Sequence, residues 1–286
     1  MLTTIHLVDA SPYIFRAFFS LPKTIVDREG KPANAVYGFA SFFAKYVGDE
    51  RPTHIAVAFD RHFNQSFRNE HYAAYKAQRD ASPPELDAQV DACVEVIEAL
   101  GATTFIDERF EADDLIATAI VQTRNARHVI VTSDKDMMQL VSDRVTVVDP
   151  ARGLRFDAAS VEAKFGVRPD QMTDFLGLAG DAVDNIPGVK GIGPKTAAEL
   201  LRRYGSLEGI YQNVSSMKHN AVRANLERDV AMAGLSKRLA TVSTEAPIEV
   251  DVDSLRYRGP DEERLKAFSE KLGHGVTRPP LAADRR

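Results

Sequence analysis

Short apolar runs rich in β-branched residues alternate with helical patterns over the first half of this 286-residue chain. The runs cover residues 5–8, 55–59, 129–131 and 145–148. Between them, apolar residues recur at helical spacing over 36–47 and 86–100, and the second helix is expected to begin at Ser82, with Pro83 and Glu85 completing a capping pattern. This alternation predicts an α/β fold with a mostly parallel central sheet and helices on both faces.

The second half of the chain is predicted to be helical. From about residue 169 the strand signal fades, and a glycine-rich hairpin leads into a helix over 196–204. The longest helical segment is predicted over 221–239. The last residues show no periodicity, which predicts disorder. These patterns divide the chain into an α/β core over 1–168, a helical region over 169–275 and a disordered tail over 276–286.

Composition is that of an ordinary globular protein, with 44% hydrophobic and 27% charged residues. The single cysteine, Cys93, excludes an intramolecular disulfide and a cysteine-based zinc cage. Cys93 lies on an apolar helical stripe and is expected to be buried. The sequence contains no recognisable signal peptide and no run of about 18 uncharged apolar residues. We therefore expect a cytoplasmic protein without a membrane partner.

The net charge of −5 argues at first against a nucleic-acid partner, because phosphate binding usually leaves a basic footprint. The distribution of charge is more informative. Residues 61–79 carry four basic residues against one acid, which gives 4 − 1 = +3 with histidines neutral, and residues 188–205 have the same balance. Several acids elsewhere have the pattern of metal ligands, and bound cations would offset part of their charge. The net charge therefore does not exclude DNA.

Acidic residues follow three of the predicted strands. Asp9 follows the run at 5–8, Asp60 follows the run at 55–59, and Asp134 and Asp136 come shortly after 129–131. In an open α/β sheet, the crevice beyond the carboxyl ends of the strands is the usual site. Three strands are therefore predicted to deliver acids to one edge.

Two further acidic groups have a structural as well as a functional interpretation. Glu111, Asp113 and Asp114 precede an apolar helical pattern, in which Glu111 and Asp114 share a face and Asp113 lies off it. The helix dipole alone favours acids at such a position. Asp181 and Asp184 come just before the glycine-rich hairpin and also fit ordinary turn chemistry. Beside the strand-end acids, both groups favour a shared metal site.

A crevice with so many carboxylates needs neutralisation, because like charges at close range raise each other's pKa values unless cations intervene. Oxygen-only ligands suit hard ions, Mg²⁺ or Mn²⁺, rather than zinc. Two such ions about 4 Å apart activate water and stabilise both oxygens of an in-line phosphoryl displacement. Hydrolysis of phosphodiester bonds is the reaction that best explains the acids.

The glycine-rich hairpin has the features of a DNA-backbone contact. Gly188, Gly191 and Gly193 allow close approach of the backbone, and the helix that follows presents free N–H groups to a phosphate. Lys190 and Lys195 add positive charge beside them. A generic glycine turn is the alternative. The pattern favours a grip on DNA that does not depend on base sequence.

The segment 61–80 interleaves aromatic residues with cations, which suits a single strand whose bases stack and whose phosphates form ion pairs. Lys76 and Arg79 are three residues apart, so both are expected to face the scissile phosphate. An ordinary amphipathic helix is the alternative interpretation of this segment.

These motifs, in this order, resemble the 5′ nuclease family, which includes the 5′-nuclease domain of bacterial DNA polymerase I and the flap endonucleases. The resemblance runs from residue 7 to about 272, and its most specific stretches are 110–114, 132–136 and 180–197. It implies a PIN-like nuclease core, a helical arch over about 62–84 and a helix–three-turn–helix element that holds duplex DNA. The implied activity is metal-dependent 5′→3′ exonuclease and flap endonuclease cleavage to 5′-phosphate products, in primer or flap removal.

The resemblance also implies roles for individual residues. Nine acids match the family's metal-ligand positions and would hold two or more Mg²⁺ or Mn²⁺ ions: Asp9, Asp60, Glu111, Asp113, Asp114, Asp134, Asp136, Asp181 and Asp184. Lys76 and Arg79 match catalytic cations that stabilise charge on the phosphate. A K⁺ ion is implied on the carbonyls of the hairpin 188–193. The expected DNA contacts are Arg68, Tyr72, Tyr75, Gly188, Lys190, Gly191, Gly193, Lys195 and Thr196.

The expected partner is DNA with a free 5′ end, a flap or a branch. Two rival functions stay open: a non-catalytic binder of branched DNA, and a related nuclease that acts mainly on RNA, including RNA in an RNA–DNA hybrid. The chain is expected to act as a monomer. It ends soon after residue 273, where polymerase-fused relatives continue, so a free-standing nuclease is expected.

Overall fold

A six-stranded sheet forms the centre of the computed structural model, which describes residues 2–62, 65–79, 82–273 and 275–276. The strands are β1 (Thr4–Asp9), β2 (His54–Asp60), β3 (Thr103–Asp107), β4 (Arg127–Val131), β5 (Val145–Asp149) and β6 (Leu154–Phe156). Their order is β3-β2-β1-β4-β5-β6, and only the edge strand β6 runs antiparallel to its neighbour. The predicted mostly parallel α/β sheet is confirmed.

Twelve α-helices accompany the sheet in the described residues. They are α1 (Ser11–Ser20), α2 (Asn34–Glu50), α3 (Arg68–His71), α4 (Pro84–Ala99), α5 (Ala112–Gln122), α6 (Ala158–Phe165), α7 (Met172–Ala179), α8 (Pro194–Tyr204), α9 (Leu207–Asn213), α10 (Ala221–Arg228), α11 (Val230–Ala240) and α12 (Glu262–Leu272). None of these helices has the length and apolar character needed to cross a membrane.

Alternation along β2 separates two apolar cores. Ile55, Val57 and Phe59 point into one core, which also contains residues of α1, α2, α4 and α12. Ala56 and Ala58 point into the other, together with residues of α5 and of the helices after residue 171. Successive side chains of a strand face opposite sides of a sheet, so each core lies on its own face. Helices therefore cover both faces, as predicted, and Cys93 is buried in the first core.

Several element boundaries differ from the sequence expectation. Helix α4 begins at Pro84, with Pro83 as its N-cap and no side-chain cap, so Ser82 does not cap it. Two consecutive prolines explain the shift, because a proline is favoured at the first helical position. The segment expected as one helix over 221–239 is two helices that meet at Asp229. The edge strands β3 and β6 were not predicted because neither contains a continuous buried run.

The chain returns to the sheet after α11. The N–H of Ala246 donates to Thr118 Oγ1 in α5 at 3.1 Å, and the N–H of Asp261 donates to the carbonyl of Ala99 at 2.9 Å. Helix α12 then packs on α4, with an ion pair of 2.8 Å between Lys271 and Glu95. The helical region is thus tied back to the α/β core. The predicted division at 168 and 169 stays a prediction, and residues 277–286 of the predicted tail lie outside the described residues.

A substitution at Gly101 tests the packing of the segment after α11 against the α/β core. The φ of this glycine is +85°, and a Cβ there would lie 1.9 Å from the carbonyl oxygen of Gly259. Gly153 has a φ of +64° with nothing within 4 Å of a Cβ, so it is a matched control. Alanine at either position costs roughly 1–2 kcal/mol for the left-handed backbone. We expect Gly101→Ala to lower the free energy of unfolding in urea further, by about 3 kcal/mol in total. Equal losses for the two variants would contradict the packing described here.

Candidate metal centre

The carboxyl ends of three parallel strands meet at one edge of the sheet and are joined by hydrogen bonds. Asp9 and Asp60 are the last residues of β1 and β2. The hydroxyl of Thr132, directly after β4, donates to Asp9 Oδ2 at 2.7 Å. Ser11 links the two acids, since its N–H donates to Asp9 Oδ1 at 3.2 Å and its hydroxyl donates to Asp60 Oδ2 at 2.5 Å. This edge is also where the strand order reverses, which is the usual place for a ligand.

The start of α5 brings three more acids to this edge. The N–H of Ala112 donates to Asp60 Oδ1 at 2.7 Å, which fixes the first turn of α5 beside the end of β2. Glu111 is the N-cap of α5 and forms a capping box with Asp114. One oxygen from each of Glu111, Asp113 and Asp114 lies within 4.8 Å of the others. Carboxylates at this separation need positive charge between or beside them.

Arg68 supplies part of that charge from the interior. Its guanidinium donates to Glu111 Oε2 at 2.9 Å and to both oxygens of Asp114 at 2.8 Å. It also donates to the carbonyls of Leu239 at 2.9 Å and Thr241 at 3.1 Å. Arg68 therefore joins the segment after β2, the start of α5 and the end of α11. The expected DNA contact through Arg68 stays a prediction; in this structure the residue is 1% exposed and its donors bind protein acceptors.

Asp113 and Asp114 are neighbours with different surroundings. Besides Arg68, the oxygens of Asp114 accept the N–H groups of Ser243 at 2.6 Å and Glu111 at 3.1 Å, and the residue is fully buried. Asp113 accepts the N–H of Asp114 with Oδ1 at 2.7 Å and keeps 28% of its side chain exposed. Asp113 is therefore open to an incoming cation, whereas Asp114 is saturated by protein donors.

A second acidic group lies after β4 and before the hairpin. The Lys135 ammonium contacts Asp181 and lies 3.5 Å from Asp136 Oδ1. The N–H of Asp136 donates to Asp134 Oδ1 at 2.8 Å, which holds the turn that carries both acids. Asp184 completes the group: burial raises the pKa of both Asp134 and Asp136, and the nearby Asp184 carboxylate adds to each rise. The structure thus brings the acids of the two predicted motifs together.

Lys76 and Arg79 lie among the carboxylates. The Lys76 ammonium contacts Glu111 and lies 3.8 Å from Asp184 Oδ2, and Arg79 Nη2 lies 2.5 Å from Asp184 Oδ1. Lys76 has a left-handed φ of +55°, and its N–H donates to the carbonyl of Asp184 at 3.0 Å. Both cations therefore face the acids, and their expected orientation toward the scissile phosphate stays a prediction. Among the described residues of 62–84 before α4, α-helix is confined to α3, and the helical arch stays a prediction.

Tyr72 and Tyr75 belong to the same segment and are not equally accessible. Tyr72 is half-buried against the apolar core. Tyr75 is 3% exposed, and its hydroxyl lies 3.1 Å from Glu111 Oε2 and 3.3 Å from Asp184 Oδ2. The expected DNA contact through Tyr75 stays a prediction, and in this structure the ring is buried. Its hydroxyl instead orients the acids.

The electrostatics of the crevice explain why it attracts cations. Burial and then the Asp60 charge raise the pKa of Asp9 to about 8. Burial also raises the pKa values of Asp60, Asp113, Asp134 and Asp136, and neighbouring carboxylates add to each rise. Each rise means that the charged form is disfavoured without a nearby cation. The candidate ligands among the described residues are carboxylate oxygens without cysteine, so the donor set fits hard divalent ions.

The hairpin before α8 divides into a structural and an exposed part. Gly188 is buried with a φ of +62°, and a Cβ there would lie 2.4 Å from the backbone nitrogen of Gly180. Its N–H donates to Ser236 Oγ at 2.9 Å. Gly188 therefore permits close packing of the backbone here, and its expected DNA contact stays a prediction. The other expected contacts are exposed or, for Thr196, half-buried: Lys190, Gly191, Gly193, Lys195 and Thr196.

Sequence reasoning missed three polar residues that organise the site. Ser11 and Thr132 bind the strand-end acids, and Lys135 bridges the second acidic group. Each lies within two residues of Asp9 or Asp134, which the sequence identified as site acids. That proximity in sequence could have marked them as site residues. A hydroxyl or a lysine beside an acid is too common for that signal to be specific.

Comparisons with known proteins agree with this architecture. Residues 4–166 match the model of the 5′-3′ exonuclease N-terminal resolvase-like domain, and residues 167–263 match that of the 5′-3′ exonuclease C-terminal SAM fold. The chain belongs to the 5′-3′ exonuclease family. It is 40% identical over 279 residues to DNA polymerase I of Mycobacterium leprae and 38% identical over 284 residues to DNA polymerase I of Bacillus subtilis. These matches cover 95% and 97% of this chain but only 30% and 32% of the polymerases.

Solved structures show the same fold. The structure of the T5 5′-exonuclease with bound divalent metal ions (zinc) has a TM-score of 0.71 at 20% identity and covers 94% of this chain and 99% of its own. The catalytic core of Rad2 in complex with DNA substrate has a TM-score of 0.64 at 17% identity, with 97% and 90% covered. The resemblance to the 5′ nuclease family and the combination of an α/β domain with a helical region are confirmed. A helix–three-turn–helix element stays a prediction.

Asp113 and Asp114 allow a matched test of the site. Asp113→Asn removes a charge from an accessible, crowded position, so we expect weaker divalent-metal binding with the thermal stability of the chelated protein kept or raised. Asp114→Asn leaves the buried Arg68 without its bidentate partner, so we expect a loss of about 3–5 kcal/mol in the free energy of unfolding. Metal titration calorimetry and urea unfolding measure the two effects. Similar stability losses in both variants would contradict the distinction.

The raised pKa of Asp9 predicts a pH dependence of stability. In chelator, the folded protein holds this proton more tightly than the unfolded chain, so stability falls as the pH rises toward about 8. The pKa values of the buried His6 and His128 are lowered to about 4, so these histidines make stability depend on pH only below about pH 6.5. We therefore expect the chelated protein to have a lower Tm at pH 8 than at pH 6.5.

Divalent metal is expected to reverse that trend, because it binds the deprotonated carboxylates. Thermal scans with Mn²⁺ should show a larger rise in Tm at pH 8 than at pH 6.5, and Asp9→Asn should reduce the difference. A rise in Tm that is independent of pH in the unmodified protein would argue against protons and metal competing for this cluster.

Proposed function

We propose that this chain is a divalent-metal-dependent, structure-specific 5′→3′ exonuclease and flap endonuclease. It hydrolyses phosphodiester bonds in DNA with a free 5′ end, a flap or a branch, and leaves 5′-phosphate products. Its setting is removal of primers or flaps during replication and repair in the cytoplasm. The observation that carries the proposal is the convergence of two acidic groups and two cations on one sheet edge, in a chain of the 5′-3′ exonuclease family.

The acids have graded roles in this proposal. Asp9, Asp60, Glu111 and Asp113 would hold one ion, and Asp134, Asp136, Asp181 and Asp184 would hold a second. Mg²⁺ or Mn²⁺ at these positions would activate water and stabilise both oxygens of the displacement. Asp114 is assigned a supporting role, since Arg68 and backbone N–H groups occupy its oxygens. The proposal gains support from the solved T5 5′-exonuclease with divalent metal ions, whose fold this chain shares.

Lys76 and Arg79 are the proposed phosphate-binding cations. Both form ion pairs with site carboxylates, Lys76 with Glu111 and Arg79 with Asp184. With divalent ions bound to those acids, the two side chains would be free to bind the scissile phosphate. There they stabilise the charge that develops on the non-bridging oxygens. Their pairing in the metal-free protein keeps them within reach of the reacting atoms.

DNA binding is proposed for surfaces beside the crevice. Lys190, Gly191, Gly193, Lys195 and Thr196 grip the duplex backbone at the hairpin, with K⁺ on the carbonyls of 188–193, and Tyr72 contacts the single strand. The helical region 169–275 binds the duplex, and the α/β core 1–168 carries the metal site. The protein acts as a monomer. Solved Rad2 in complex with DNA substrate, a structure of the same fold, supports a DNA partner.

Product mapping on a 5′-flap duplex tests the proposal. The reaction is run with Mg²⁺, with Mn²⁺ and with chelator, beside the Asp113→Asn variant. We expect cleavage near the junction only with metal, a 5′-phosphate on the downstream strand, and no cleavage by Asp113→Asn despite retained DNA binding. A matched substrate with an RNA 5′ strand measures the preference for DNA.

Each alternative has its own outcome in this experiment. Tight binding of the flap without cleavage under any metal condition identifies a non-catalytic binder of branched DNA. Faster cleavage of the RNA-containing substrate identifies an RNA-directed nuclease. Cleavage that persists in chelator contradicts the role assigned to the carboxylates.

A further inference from the structure

A basic cleft opens between α6 and α8, directly beyond the hairpin. Its volume is about 440 Å³. The residues that define its character are Lys164, Phe165, Phe175, Lys195, Glu199 and Arg202. Three of these are cations and one is an acid, so the charged lining sums to 3 − 1 = +2. This surface differs from the acidic average of the chain, whose net charge is −5.

The cations of this cleft lack carboxylate partners. Nearby cations are paired: Arg168 lies 2.9 Å from Asp170, and Lys237 lies 2.6 Å from Asp174. Among the described residues, no carboxylate oxygen lies within 4.0 Å of the side-chain nitrogens of Lys164, Lys195 or Arg202. All three are exposed. Their charges are therefore available to an external anion.

Packing holds two of these cations at the junction of α6 and α8. The Lys164 ammonium lies over the rings of Phe156 and Phe165, at 4.5 Å and 5.1 Å from their centres. Arg202 extends to the end of α6, where its Nη2 would lie 3.7 Å from a Cβ on Gly166. The C-terminal end of α6 attracts both, which gives them a structural role. That role does not explain Lys195, which lies at the N-terminal end of α8, where a cation is unfavourable without an anion.

The spacing along α8 fits a repeating anion. Lys195 and Arg202 are seven residues apart, so they lie on nearly the same face and about 10 Å apart along the helix axis. Phosphates on one strand of B-DNA advance about 3.4 Å per step along the duplex. Phosphates also rotate about the duplex axis, so their separation in space exceeds this rise, and a spacing of about 10 Å lets the two side chains contact different phosphates of one strand. Lys195 also follows the exposed hairpin residues directly, so the cleft and the hairpin form one continuous surface.

We propose that this cleft binds the phosphodiester backbone of duplex DNA beyond the hairpin, through Lys164 and Arg202. The inference rests on the proposed function, because it extends the duplex contact assigned to the hairpin. The contact is electrostatic and independent of base sequence. It makes the affinity for a substrate depend on the length of duplex that reaches the cleft.

The test compares the unmodified protein with a Lys164→Gln/Arg202→Gln double variant. A Lys266→Gln/Arg256→Gln variant removes the same charge from exposed positions outside this cleft and is the control. Binding to flap substrates whose downstream duplex grows from short to long is measured by anisotropy at several salt concentrations, with Ca²⁺ in place of a catalytic ion. Thermal melting checks each variant for folding.

We expect the affinity of the unmodified protein to rise in a step at the duplex length that reaches the cleft, with no such step for the double variant. Two lost phosphate contacts lower the slope of log K against log salt by about 1.8. Between 50 and 200 mM salt, the unmodified protein should lose about tenfold more affinity for the long duplex than the variant does. The control variant should keep both the step and the slope.

Three results would overturn the inference. An unchanged salt slope in the double variant would assign these cations to another partner, such as an acidic protein. Equal loss of affinity for short and long duplexes, or a loss that matches a drop in Tm, would assign them to the structure. Cleavage of flap DNA by the unmodified protein without a length step refutes the cleft alone, whereas absence of any flap binding refutes the proposed function as well.

Discussion

Mutual repulsion among buried carboxylates is the constraint on which the rest of this structure depends. The sheet brings Asp9 and Asp60 to one edge because their parallel strands are neighbours, and α5 adds Glu111, Asp113 and Asp114. Left alone, such a group would oppose folding. Positively charged side chains from elsewhere in the sequence offset this repulsion. Arg68 does so from the interior, and Lys76 and Arg79 do so from the mouth of the crevice.

Arg68 shows how the chemistry and the architecture are linked. Its bonds to Asp114 and to the carbonyls of Leu239 and Thr241 join the acidic edge to the end of α11. The N–H of Ser243 then binds the same carboxylate, so the chain leaves the helical region beside the site. The segment that follows crosses α5 and ends with α12 on α4. The buried Arg68–Asp114 pair therefore links the end of the helical region to the acidic edge of the sheet.

The sequence predicts the parts of this structure that depend on local pattern. Runs of β-branched residues identify β1, β2, β4 and β5, and the aspartates after them identify the acidic edge, because strand direction alone decides where those side chains emerge. The sequence pattern does not predict β3 and β6, because an edge strand needs no continuous apolar run. The resemblance to a known family supplies the order of the motifs and hence the fold.

Roles that depend on tertiary burial are not predictable in this way. Arg68 and Tyr75 have the residue types of a DNA contact, yet both are buried, and charge or aromaticity carries no information about exposure. Gly188 has the position of a backbone contact, but its missing side chain makes room for Gly180. Asp113 and Asp114 are adjacent and chemically identical, and only the surrounding donors distinguish an accessible ligand from a saturated one.

The pairing of Lys76 and Arg79 with site carboxylates gives the crevice the character of an ion exchanger. A divalent ion that entered would compete with internal ammonium and guanidinium groups rather than fill a bare anionic hole, so part of its binding free energy would be spent on that exchange. Metal binding would thereby be weaker than the carboxylates alone would give. If the released groups bound a phosphate, as proposed, ion and substrate would load the crevice cooperatively.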